Sequence, residues 1–163
     1  MKIRHLSKDD NLYAVSRIYE ESWKSAYRDV LPKEYLKNLP AGHWVPYLKN
    51  AGKNSLILME GQQIIGTSSY SASRSTDFEN WGEIVSIYLL PEYTRKGYGK
   101  SLFQATMDEL QHLGFHDIFL WVLEENLGAR QFYKKMGFQP SGRYLDDNIG
   151  GKVLREIQYC YHI

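Results

Sequence analysis

The chain has 163 residues, 43% of them hydrophobic and 24% charged, and 20 Lys and Arg against 19 Asp and Glu leave a formal net charge of +1. A chain of this length buries about 70% of the surface its unfolded form exposes, enough for one core without disulfides or metals, and one domain over residues 1–163 is expected. The balanced charge argues against a general polyanion binder, so no nucleic-acid partner is expected.

Cys160 is the single cysteine, which excludes a disulfide framework and a Cys-cluster metal site; no metal is expected. Residues 1–10 lack the apolar core of a signal peptide and no run of 18 apolar residues occurs, so the expectation is a cytoplasmic protein with no membrane partner. Thirteen tyrosines and four tryptophans suit a cleft with aromatic walls as well as ordinary core filling.

In chain order, residues 2–6 read as a strand, and residues 7–10 offer N-caps for a helix with Leu12, Val15, Ile18, Tyr19, Ser22 and Trp23 at helical spacing. Pro32 suits the start of a second helix carrying Tyr35, Leu36 and Leu39, and residues 44–48 add a short one; together they read as a helical lid. Residues 55–60 and 63–71 form a hairpin around Gly61. The apolar, β-branched stretch 83–90 is a central strand stopped by Pro91. Residues 97–113 carry Leu102, Phe103, Met107 and Leu110 on one stripe, with Gly114 as the closing residue. Strand 117–123, a short helix closed by Gly137, and strands 138–145 and 152–161 complete the order βααββαβαββ, an α/β arrangement.

The densest chemical signal is Thr94-Arg95-Lys96-Gly97-Tyr98-Gly99-Lys100 between a strand and a helix. Two glycines one residue apart let backbone approach a ligand, and the free amides of a first helical turn suit phosphate. Gly99-Lys100-Ser101 imitates a P-loop ending, but that pattern requires glycine where Thr94 stands. His112 and His116 do not share a helix face across Gly114, and Asp146 and Asp147 read as turn residues.

These residues resemble the GNAT superfamily of acyl-CoA-dependent N-acyltransferases, whose pyrophosphate motif is [RQ]-x-x-G-x-[GA]; Thr94 stands where Arg or Gln is usual. Residues 126–138 match the family's N-x-x-A-x-x-F-Y-x-x-x-G-F at every named position, through Asn126, Ala129, Phe132, Tyr133, Gly137 and Phe138. The resemblance implies a mixed, mostly antiparallel sheet flanked by helices, with splayed central strands holding the acyl-CoA. It implies acetyl-CoA as cosubstrate, cradled by Thr94, Arg95, Lys96, Gly97, Tyr98, Gly99 and Lys100. Ile87, Tyr88, Leu89 and Leu90 would pair with the pantetheine arm, the Leu89 amide facing the thioester carbonyl, and Asn126, Ala129 and Tyr133 would complete the cofactor contacts.

By the same resemblance Glu83 is the base acting through water, with a strand-end glutamate as the plain alternative, and Tyr133 is the acid that protonates the leaving thiolate, with a core aromatic as its alternative. Trp23 and Tyr27 are acceptor-pocket candidates, since aromatic faces attract ammonium groups. The expected activity is acetyl transfer to a primary, small-molecule amine by direct attack. The alternatives are a protein lysine or N-terminal acetyltransferase and a non-catalytic acyl-CoA-binding module. A homodimer through the terminal strands is a further expectation of the resemblance.

Overall fold

The computed structural model describes residues 1–51 and 54–163. In chain order it contains β1 (Lys2–His5), α1 (Leu12–Ala26), α2 (Lys33–Lys37), α3 (Val45–Ala51), β2 (Ser55–Glu60), β3 (Gln63–Ala72), β4 (Gly82–Leu89), α4 (Tyr98–His112), β5 (Asp117–Leu123), α5 (Leu127–Lys135), β6 (Gln139–Ile149) and β7 (Lys152–His162). The order read from sequence is one helix and one strand short, because α1, α2 and α3 are three consecutive helices and β2, β3 and β4 three consecutive strands. The α1 cap also differs: Asn11, not residues 7–10, accepts the Tyr13 and Ala14 amides, while Asp10 turns back to take two guanidinium bonds from Arg4 at 2.7 Å. Gly114 and Gly137 close α4 and α5 in left-handed conformation, as expected.

One seven-stranded sheet runs β1-β2-β3-β4-β5-β7-β6. All neighbours are antiparallel except β4 and β5, whose parallel pairing covers only Gly82↔Ile118, Glu83↔Phe119 and Ile84↔Leu120. Past Ile84 the two strands separate. Ser69 and Tyr70 of β3 stand opposite Ser86 and Ile84, so Val85 is the extra residue of a bulge on β4 at the point where the separation begins, consistent with the local bending that bulges produce.

Successive side chains on β4 then alternate between faces. Ser86 and Tyr88 meet α1, through Tyr19 Oη at 2.9 Å from Ser86 Oγ and Trp23 Nε1 donating to Tyr88 Oη at 3.1 Å. Ile87 and Leu89 face the other layer, where Leu102, Phe103, Met107 and Leu110 of α4 are buried. A second cluster joins Tyr27, Leu31, Leu36 and Leu39 to Leu123 and Leu154, seating α2 against the β6–β7 hairpin. That contact is pinned at its edge by Lys152 Nζ donating to the Val30 carbonyl at 2.8 Å.

Candidate active site

The separation of β4 from β5 opens a cleft of about 1070 Å³ that reaches from the loop before α4 to α1 and β7. On the α4 side it is lined by Thr94, Arg95, Gly97, Gly99 and Lys100. Gly97 caps the helix at φ +88°, a conformation that admits glycine without strain, and Arg95 is left-handed at φ +61°. The first helical bond is Ser101 N–H to Gly97 O at 3.2 Å, so the Tyr98, Gly99 and Lys100 amides precede the ladder and point from the helix start. Three basic side chains sit in or beside this loop, so its electrostatics and its free donors both suit a pyrophosphate. The side chains of Lys96 and Tyr98 lie outside the cleft lining, both packing on Tyr93; what these residues offer the cleft is backbone.

The β4 edge corrects one expectation. Leu90 is buried at 2% exposure; its amide donates to Ile65 O at 2.8 Å and its carbonyl accepts from Tyr93 N–H at 2.9 Å. Neither group is left for a bound arm. Since backbone groups alternate sides along a strand, Tyr88 also bonds towards β3, opposite Thr67, and enters the cleft through its ring. The amides of Ile87 and Leu89 face the gap. The Leu89 carbonyl is held by Ser22 Oγ at 2.6 Å, a contact across 67 residues that no local pattern signals.

Tyr133 lies on the α5 wall. Among the described residues its hydroxyl has no hydrogen-bond partner, and burial with the nearby Tyr88 pushes its pKa well up, so it holds its proton at any ordinary pH. Asn126 caps α5, its Oδ1 accepting the Ala129 amide at 3.2 Å, and both residues line the cleft. Trp23 and Tyr27 line the α1 side, edge to face at 5.3 Å. Burial pushes the Tyr27 hydroxyl up to about 12 and raises Tyr88 as well.

Glu83 is not a solvated strand-end residue: it is 2% exposed and lines the cleft. Arg74 grips it with Nη2 to Oε1 at 2.7 Å, and with Nε and its own backbone amide each 3.2 Å from Oε2. Arg74, Trp121 and Glu156 also line the cleft and escaped sequence reasoning. The available signal was alternation in β7, where Glu156 shares a face with buried Leu154 and Gln158 and so breaks an inward row. Cys160 lies outside the cleft, its thiol raised chiefly by burial.

The family model described as Acetyltransferase (GNAT) family matches residues 12–138. The chain is 27% identical to the uncharacterized N-acetyltransferase YuaI of Bacillus subtilis over 93% of this chain and 87% of the relative. It is also 27% identical to the spermidine N(1)-acetyltransferase of Thermoplasma acidophilum over 98% of each. A third relative, the [ribosomal protein bS18]-alanine N-acetyltransferase of Haemophilus influenzae, is 30% identical over 73% of this chain and 84% of its own length. Among solved structures, the paiA N-acetyltransferase of Thermoplasma acidophilum in complex with coenzyme A superposes with a TM-score of 0.74 at 23% identity, covering 96% of both chains. The chain belongs to the GNAT family and is an N-acetyltransferase of that type. Among the described residues no helix is long and apolar enough to cross a membrane.

Proposed function

We propose that residues 1–163 form one domain that transfers the acetyl group of acetyl-CoA to a small primary amine by direct attack, in the cytoplasm, where Cys160 stays reduced. The observation that carries this reading is the gap itself: two strand edges parted beyond Ile84, with unspent Ile87 and Leu89 amides on one side and the free helix-start amides at its mouth. Such donors suit the amide-bearing arm and the pyrophosphate of CoA. The CoA complex of the Thermoplasma acidophilum paiA enzyme, similar in fold, supports the cosubstrate.

Acetyl-CoA supplies an acyl group activated as a thioester. Gly97, Gly99 and Lys100 with Arg95 hold the pyrophosphate, and Asn126 Nδ2 bonds the arm. The Leu89 amide donates to the carbonyl oxygen that gains negative charge as the amine nitrogen bonds the acyl carbon. Glu83 receives, through water, the proton the nitrogen loses, and Tyr133 gives its proton to sulfur as the C–S bond breaks. Each proton is thereby accounted for and the amide and free thiol leave.

A small acceptor is favoured by the roof over the α1 side, where α2 is packed on Leu123 and Leu154 and the connection before it is tied to β7 by the Lys152 bond to Val30. The relative that acts on spermidine supports the same choice. The test is release of free CoA thiol from acetyl-CoA across diamines, polyamines, amino acids, aminoglycosides and short peptides. Saturable release with one class of small amine is expected. Acetyl-CoA binding with no release from any amine overturns transfer, and a preference for peptides overturns the small acceptor.

A further inference from the structure

Two carboxylates reach the cleft from its α1 face, and their circumstances differ. Glu83 is committed to Arg74 through three contacts. Glu156, on β7, is half-buried and, among the described residues, forms no ion pair or hydrogen bond. Its register partner across the sheet is Leu123, the last residue of β5, so it stands beside the part of β5 that has left β4. It projects on the same face as Leu154, which packs with Tyr27. Its charge is felt by the hydroxyls of Tyr27 and Tyr88 and by the Arg74 guanidinium. The charged groups facing it in turn are Asp147 of β6 and Arg74.

An unpaired carboxylate in a partly desolvated cleft is costly unless a cation joins it, and here the surrounding lining is Trp23, Tyr27, Tyr88 and Trp121, whose ring faces also attract cations. The reacting nitrogen already has Glu83 as its base, so a different nitrogen suits Glu156. A carboxylate against that nitrogen stabilises its protonated form, which has no lone pair to attack. The group suited to Glu156 is a nitrogen that stays protonated throughout.

Building on the acetyltransferase reading above, we propose that Glu156 is the specificity-determining anchor of the acceptor site, pairing with a second, protonated nitrogen of a small aliphatic diamine-type acceptor. The reacting nitrogen then lies at the gap, served by Glu83, and the carbon chain between the two nitrogens lies on the aromatic wall. Acceptors without a second cation lose the anchor.

The experiment is calorimetric titration of the protein saturated with CoA, using 1,4-diaminobutane and n-butylamine, which differ by one ammonium group. The wild type is expected to bind the diamine about tenfold more tightly, the scale of one charged hydrogen bond. Glu156→Gln, which keeps the side chain's shape, is expected to bring that ratio close to one by weakening the diamine, and Glu156→Asp to restore part of it. Bound CoA with no diamine preference in the wild type, or a preference that survives Glu156→Gln, overturns the anchor alone. Failure to bind CoA at all overturns the acetyltransferase reading and the anchor with it.

Discussion

The two faces of the cleft are built on different principles. The α4 and α5 side is local: Thr94 to Lys100 and Asn126 to Tyr133 are two short stretches, and most of what they offer is backbone, namely helix-start amides and the edge of β4. The α1 side is assembled from Trp23, Tyr27, Arg74, Tyr88, Trp121 and Glu156, six residues from five places in the chain, acting through side chains. A constant ligand read by backbone leaves a dense motif in sequence, because glycine and cap positions are dictated by geometry. Side chains that select an acceptor need only converge in space and leave scattered positions.

The division yields a set of experiments that separates the faces. The largest effect is expected for Tyr133→Phe, with turnover falling about 100-fold, the range of a lost general acid, while acetyl-CoA affinity and thermal unfolding stay as they were because the hydroxyl has no partner among the described residues. If Tyr133 is merely a core aromatic, turnover will be preserved. Its raised pKa carries a sign as well: the group remains protonated above the ordinary tyrosine value of about 10, so the wild-type rate should show no alkaline fall near pH 10 from this residue.

Next comes Gly97→Ala, which forces a side chain into φ +88°. At a cost of roughly 1–2 kcal/mol, CoA affinity should drop about tenfold or the loop should shift, with acceptor KM little changed. A selective rise in acceptor KM would break the division between faces.

The smallest effect belongs to the other face. Trp23→Phe keeps an aromatic wall but removes the bond from Nε1 to Tyr88 Oη, and a neutral hydrogen bond contributes about 1 kcal/mol. A few-fold rise in acceptor KM with CoA affinity intact is expected from steady-state kinetics. Weakened CoA binding instead would show that Trp23 serves the cofactor side.

Much of the frame was legible in the chain itself. Helical spacing marked α1 and α4, Gly114 and Gly137 marked the ends of α4 and α5, and Gly61 marked the β2–β3 hairpin, all of which the structure contains. The misplaced features share a cause in competition for backbone groups. Residues 7–10 look like caps, yet Asp10 is claimed by Arg4, leaving Asn11 to cap α1. Leu90 continues the apolar run of β4, yet its amide and carbonyl are spent on Ile65 and Tyr93. A sequence pattern shows which groups are available but not which partner reaches them first.

What the sequence determined by itself was therefore the class of most elements, though not of Asp146 and Asp147, which read as turn residues and pair within β6, together with the phosphate-suited loop and the family resemblance, because these depend on spacings of a few residues and on the special geometry of glycine. Only the tertiary structure decided that β4 and β5 part after Ile84, that Arg74 occupies Glu83, and that Glu156 stands beside the aromatic wall with no partner among the described residues. Those facts depend on strand register and on contacts between remote positions, where a shift of one residue turns a side chain to the opposite face.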